Sequence, residues 1–350
     1  MLYIFVLTDM PFRKANVNAV NFTRCFDRNT KNKMTRPGFK KRKLIIDCDP
    51  GQDDAVMLLL AFACPDQFDI LGITTVAGNV PLNLTQRNAR IICELAGRTD
   101  LPVYAGCDRP IRQPLITAET VHGKNGIDGV EIYQPKMPLQ EQNAVDFIIE
   151  TLLASPDDSI TLVPTGPLTN LGQAISRHPD ILPRIREIVL MGGAMREGGN
   201  FSPCAEFNML VDPDAAKIVF ACGRPLTIVP LDVTHKALIS RSRIDAIRDL
   251  KTDVSEAVVG MLEFFNRFDT QKYGSEGAPL HDPCTNAYLL EPSLFKGKMC
   301  NVEIETESPL TRGHTAVDFW HVTDRKVNAN WLYEIDADGF FSLLIERLKA

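Results

Sequence analysis

KLIIDC (43–48) runs straight into DCDPGQDD (47–54), and this join decides the fold. A short apolar run that ends in acidic residues has the pattern of a buried parallel strand at its carboxyl end. Pro50-Gly51 breaks it. The stretch from Asp53 to Cys64 then reads as a helix, with acids in the first turn, where the helix dipole favours them. Outward from this unit the same signal recurs. DILGITTVA (69–77), PVYAG (102–106), SITLVPTG (159–166), REIVLMGG (186–193) and LTIVPLDVT (226–234) are strand-like, and Asn83 to Gly97 reads as a helix stopped by its glycine. Further helical stretches fall near 140–154, 167–177 and 213–222. Such alternation predicts βαβ units and a mainly parallel sheet. The fold class is therefore α/β, a Rossmann-like open sheet flanked by helices. A more helical C-terminal part (240–270 and 282–291) is followed by strands near 300–306, 313–319 and 327–336 and a last helix at 338–348.

Composition bounds the answer. Of 350 residues, 45% are hydrophobic and 23% charged, which excludes disorder as the main state, collagen and coiled coil. The longest apolar run, Ala55 to Cys64, is half of the roughly 20 residues that a membrane span needs. The net charge is −6 and unevenly spread. Residues 1–43 hold eleven Lys/Arg against two Asp, a balance of +9, so the remainder carries −15. An acidic body argues against a nucleic-acid surface and suits a site that gathers carboxylates around a cation. Nine cysteines without zinc-like spacing fit buried thiols in a reduced, cytoplasmic protein. Residues 1–42 lack periodicity and are expected to be a basic extension outside the fold. Their Arg-rich, acid-poor composition resembles a transit peptide, and a start at Met34 would leave the domain whole. Residues 43–350 are expected to form one domain.

In open α/β sheets, ligands sit beyond the carboxyl ends of the strands. Asp47, Asp49, Asn79, Thr165, Met191 and Asp232 fall there. Four aspartates within 47–54 would repel one another if buried together. A hard divalent cation such as calcium, which takes six to eight oxygens, removes that cost. No histidine or cysteine cluster accompanies them, so zinc is not indicated. APLHDPC (278–284) places His281 and Asp282 before a helix, where Asp282 could equally be an N-cap and His281 a core histidine. In AEFNMLVDP (205–213), Glu206 and Asn208 stand two apart. In an extended segment they would share a face suited to a polyhydroxyl ligand. VHGKNGIDG (121–129) is glycine-rich, begins near His122, and reads as either a lid or a plain surface loop.

Together these segments resemble the calcium-dependent nucleoside hydrolases. DCDPGQDDA (47–55), ITTVAGN (73–79), LVPTGPLTN (162–170), VLMGGAM (189–195), AEFNMLVDP, LDVTHKA (231–237) and HDPC (281–284) stand in the family's order from Lys43 onward. HGKNGIDG (122–129), LDVTHKA and YGSEGAPLHDPC (273–284) are most similar to the pyrimidine-specific bacterial members. The resemblance implies one calcium ion per subunit, held by Asp49, Asp54, Asp282 and the Thr165 carbonyl, with Asp47 in support. It implies that Asp49 takes a proton from water and that Asp53, Asn79, Met191, Asn200, Glu206 and Asn208 surround the ribose. His281 and His122 would lie near the base, with His281 the first candidate to assist its departure. It further implies a small ribonucleoside substrate, no nucleic-acid or membrane partner, and a homodimer or homotetramer. Lys124 and Asn125 replace an expected Glu-Ser pair, which puts the loop's contacts in question. The basic extension has no counterpart in the family pattern.

Two other classes are distinguishable. A haloacid-dehalogenase-type phosphatase also carries DxD at a strand end, but needs a hydroxyl residue soon after it and a later lysine. Here Pro50-Gly51 and two further acids follow. A non-catalytic ribose or nucleoside sensor would lose Asp49 or a histidine, and all are present. Purine-preferring or broad specificity stays open within the enzyme class.

Overall fold

The computed structural model describes residues 41–273 and 277–349, the side chains of 269–273 excepted. The expectation for residues 1–40 lies outside the described residues. The strands are β1 (Arg42–Cys48), β2 (Phe68–Thr75), β3 (Val103–Ala105), β4 (Ile160–Pro164), β5 (Ile185–Met191), β6 (Leu226–Val229), β7 (Phe295–Ile304), β8 (Thr315–Asp318) and β9 (Ala329–Ile335). Among the described residues they form one sheet in the order β3-β2-β1-β4-β5-β6-β9-β7-β8. The pairings from β3 across to β9 are parallel, and β7 runs antiparallel to both β9 and β8.

The two faces of β1 show why Leu44, Ile45 and Ile46 are apolar in succession. Leu44, Ile46 and Cys48 enter one core, which the helices Gln52–Phe62, Leu82–Leu95, Asp253–Tyr273, Pro283–Leu290 and Ala337–Leu348 supply. Ile45 points the other way, into a core formed with the helices Ala144–Leu153, Thr169–Arg177 and Pro213–Phe220. Side chains alternate across a strand, so a sheet covered on both faces needs apolar residues at every position. All eleven residues of helix Gln52–Phe62 are buried. This explains its apolar run of ten: the helix is packed on every side.

The chain lays β2 and β3 on one flank of β1, then returns to place β4 on the other. Such a reversal opens a crevice between the carboxyl ends of the two strands that flank it. Asp47 to Asp54 leave the sheet at that point, opposite Thr165.

Three expected elements differ. LTIVPLDVT is not one strand: β6 stops at Val229, and after Pro230 the residues Leu231–Thr234 form a helical turn. Proline lacks the N–H that the ladder would need. The helical stretch at 240–270 is two helices, Arg241–Arg248 and Asp253–Tyr273. The segment 205–213 is not extended. Phe207–Val211 is helical, with Glu206 as its N-cap.

Candidate active site

The carboxylates are set by backbone geometry first. The Asn79 N–H donates to Asp49 Oδ2 (2.7 Å), and Asn79 Nδ2 donates to the Asp49 carbonyl (3.1 Å). Asp49 is 1% exposed, and its Oδ1 has no hydrogen-bond partner among the described residues. Two glycines make room for it: a Cβ on Gly78 would overlap Oδ2, and one on Gly166 would stand 2.6 Å from Oδ1. Asp54, in the first turn of helix Gln52–Phe62, accepts from Thr165 Oγ1 (2.8 Å), from the Gly51 N–H (3.0 Å) and from Asn79 Nδ2 (3.2 Å). The Thr165 carbonyl accepts from Asn208 Nδ2 (2.7 Å), which also reaches the Met191 carbonyl (3.3 Å). An unbroken hydrogen-bonded chain thus runs from Asp49 through Asn79, Asp54 and Thr165 to Asn208.

Asp53, Asp54 and Asp282 bring one carboxylate oxygen each within 4.8 Å of one another, all three residues buried. Asp282 occupies the N-cap position of helix Pro283–Leu290 but its side chain makes no capping bond, so its carboxylate belongs to the cluster. Asp49 lies outside this trio. Asp53 Oδ1 is buried and unpartnered, like Asp49 Oδ1. Burial, then the charge of Asp54, pushes the Asp53 carboxyl up to about 7. Asp49 and Asp282 rise well above the ordinary carboxylate range, again through burial first and neighbouring acids second. Asp47 is pushed up to about 6 by burial, against hydrogen bonds from Thr74 (2.6 Å) and Asn170 (2.8 Å).

Unpartnered oxygens and mutual repulsion in one buried cluster fit a divalent cation. Sulfur is turned away: the thiols of Cys48 and Cys284 bond the carbonyls of Thr74 and Leu280. The donor set is therefore hard oxygen alone.

Above the cluster opens a cavity of about 480 Å³. Asp53, Asn79, Thr165, Met191, Asn200, Glu206, Asn208, His122, His281 and Asp282 all line it. Asp49 and Asp54 lie beneath. Glu206 takes the N–H groups of Asn208 (2.9 Å) and Met209 (3.2 Å) as an N-cap and that of Gly193 (2.9 Å) from the end of β5. Burial nevertheless raises its carboxyl above the ordinary value. Asn200 accepts from the Phe207 N–H (3.0 Å). Asp232 does not line the cavity; it accepts the N–H groups of Met195 and Arg196 and braces the loop that carries Asn200.

The histidines belong to a second set of contacts. His281 Nδ1 pairs with Thr234 Oγ1 (2.7 Å), and its ring lies 5.9 Å from that of His235. Burial, then the nearby His235 and His122, holds His281 well below the usual histidine range. His122 packs on Phe265 at 5.4 Å and meets Gln52 through Nδ1 (2.8 Å). The glycine-rich loop is fastened. Asn125 closes a turn onto Asp128 and receives Arg87 and Asn88 at its carbonyl. Neither Lys124 nor Asn125 lines the cavity.

Sequence reasoning missed Gln52, Glu197, His235, Phe265 and Leu238 as site residues. Gln52 stood inside the acidic motif, and His235 inside LDVTHKA, but neither carries a spacing signal. Phe265 is one of several apolar residues on the core-facing side of a long helix.

A sheet that reverses over a cluster of buried carboxylates, roofed by a polar and aromatic cavity, is suited to a hydrolase that works through carboxylates. Residues 44–342 match the family model for inosine-uridine preferring nucleoside hydrolases, and the chain belongs to that family. It is 46% identical over 308 residues to the pyrimidine-specific ribonucleoside hydrolase RihA of Photobacterium profundum, covering 88% of this chain and 98% of that one. Among solved structures it is similar to the purine-preferring ribonucleoside hydrolase from Gardnerella vaginalis (TM-score 0.82, 33% identity, 88% and 98% of the two chains). It is also similar to a plant nucleoside hydrolase (TM-score 0.84, 29% identity, 89% and 100%). The expected family, α/β fold and enzyme class are borne out. Among the described residues, no helix is long and apolar enough to cross a membrane.

Proposed function

We propose that this protein hydrolyses the N-glycosidic bond of pyrimidine ribonucleosides, uridine and cytidine, to ribose and free base, with one calcium ion per subunit. The observation that carries the reading is the trio Asp53, Asp54 and Asp282 beside the unpartnered Asp49 Oδ1, under a cavity sized for a nucleoside. The similarity to a pyrimidine-specific relative supports the choice of base.

Asp49, Asp54, Asp282 and the Thr165 carbonyl would hold the ion. A calcium ion held there would supply Lewis-acid chemistry, lowering the pKa of a water and binding sugar hydroxyls. Asp49 is fixed on one oxygen by Asn79 and leaves Oδ1 to take a proton from the attacking water. As the water oxygen bonds to C1′, the C1′–N bond breaks and positive charge develops on the ribose ring. The carboxylates around the ring stabilise that charge in a water-poor site. Asp53 binds the 2′-hydroxyl. Asn79, Asn200, Glu206 and Asn208 hold the remaining hydroxyls, and Met191 packs against the sugar. Assistance to the departing nitrogen is assigned to His281, which lines the cavity and pairs through Nδ1 with Thr234 Oγ1. His122 lies on the base side. Residues 43–350 act as one domain, in the cytoplasm and as a homodimer or homotetramer.

The test is ribose release from uridine, cytidine, inosine and adenosine by the calcium-loaded enzyme. The expected result is kcat/KM at least about tenfold higher for the two pyrimidine nucleosides, a gap of roughly 1.4 kcal/mol in the transition state. Equal or higher values for inosine and adenosine would reassign the base preference.

A further inference from the structure

Gln52 is completely buried at the start of its helix, and the mechanism above does not use it. One end of its amide faces two backbone carbonyls, those of His122 (2.9 Å) and Asp128 (3.1 Å). Carbonyls only accept, so that end is the NH2 group. The other end is then a carbonyl oxygen, and it lies 2.8 Å from His122 Nδ1. Two acceptors cannot pair, so Nδ1 carries the proton. A neutral imidazole protonated at Nδ1 has a lone pair at Nε2. Nε2 has no hydrogen-bond partner among the described residues, and the ring lines the cavity. Gly51 lets the ring sit this close, since a Cβ there would overlap Nδ1.

The charged or titratable neighbours do not favour a second proton. Arg267, on the long helix Asp253–Tyr273, adds its positive charge to the effect of burial, and together they push His122 down to about 3. His281 interacts with His122 and is itself held below the usual range. The ring therefore stays neutral where enzymes ordinarily work.

We infer that Gln52 is a positioning residue that locks His122 in its Nδ1–H form, so that Nε2 accepts a hydrogen bond from an N–H donor on the edge of the nucleobase. This deepens the proposed function and rests on it. His122 then recognises the base rather than protonating it. Uracil offers its N3–H and cytosine its exocyclic amine. A base with no donor at that edge leaves a buried acceptor unpaired, and sites of this kind reject such analogues strongly.

Two measurements test this. The first is the 15N spectrum of the histidine rings in the whole protein between pH 5.5 and 8, assigned by loss of signal in His122→Gln. The expected result is a protonated Nδ1 and an unprotonated Nε2 with no titration. A protonated Nε2, or titration in this range, overturns the lock. It does so whether or not uridine is a substrate. The second compares uridine with 3-methyluridine. The native enzyme should favour uridine in kcat/KM by at least about 10²-fold. In Gln52→Leu the ratio should fall below about tenfold, through loss on uridine, while the His122 signals show both tautomers. A purely steric rejection of the methyl group would persist in Gln52→Leu, and that outcome overturns the base-reading role. Should Gln52→Leu fail to fold, the native spectrum and the native substrate ratio decide. Failure to hydrolyse any nucleoside would instead strike the proposed function and leave the tautomer result standing.

Discussion

Thr165, at the end of β4, donates its hydroxyl to Asp54 Oδ1 at 2.8 Å, joining residues 111 positions apart across the gap between β1 and β4. The contact holds one carboxylate oxygen of the acidic cluster in place while the Thr165 carbonyl remains available beside Asn208. Thr165→Val keeps the shape and the carbonyl but removes the donor. Loss of a hydrogen bond that orients a metal ligand commonly weakens binding by about 10–100-fold. Calorimetric titration of the metal-free variant with calcium should show a loss of that size, and an unchanged affinity would mean that Asp54 does not bind the ion.

Calcium should stabilise the fold more as pH rises. In the metal-free protein, Asp53 is raised from 3.8 to about 7 and Asp47 to about 6. The native state therefore binds more protons than the unfolded state between about pH 4 and 7. Stability contributed by these groups falls as pH rises through that window. A bound cation offsets the repulsion that Asp53 feels. The expected outcome is a calcium-induced rise in Tm that is larger at pH 7.5 than at pH 5. Comparing the two states at each pH cancels the opposite trend from His122, whose neutral burial costs stability as pH falls below about 6.5. A calcium shift independent of pH would contradict the cluster as the binding site.

Glu206→Ala removes the acceptor of three backbone N–H groups at once. Buried donors left unsatisfied cost about 1–3 kcal/mol, and loss of an N-cap alone costs about 1 kcal/mol. Urea unfolding of the calcium-loaded variant should show a destabilisation in that range. Uridine KM should rise as well, because the helix Phe207–Val211 carries Asn208.

His281→Ala should be sensitive to the leaving group. Uracil departs poorly without a proton, whereas p-nitrophenolate departs unaided. The variant should lose at least about 10²-fold in kcat on uridine. On p-nitrophenyl riboside it should stay within a few-fold of the native enzyme. Equal losses on both would move His281 from proton donation to positioning.

The sheet was legible because periodicity reports burial. β1 is apolar on both faces over Leu44–Ile46, and helix Gln52–Phe62 is apolar all round from Ala55 onward, since each is packed on all sides. The reading of 205–213 failed because period two and a helix N-terminus look alike over so short a span. Glu206 is extended as an N-cap residue should be, yet its carboxylate turns onto the helix that follows. LTIVPLDVT ran one strand past Pro230, where the ladder had already lost a donor. Within the site, the acids were visible as a cluster in sequence. Gln52 and His235 were not, because their roles depend on partners 70 and 38 positions away, which local pattern does not reveal.

Asp49→Asn tests the central claim. The substitution keeps the size and the oxygen that accepts from Asn79, and it places an amide where Oδ1 had no partner. It cannot take a proton. The measurement is kcat for the calcium-saturated variant on both uridine and p-nitrophenyl riboside. Water activation is common to the two substrates, so the account expects a fall of at least about 10²-fold on each. Turnover of either substrate by Asp49→Asn within about threefold of the native rate would contradict the role of Asp49 as the base.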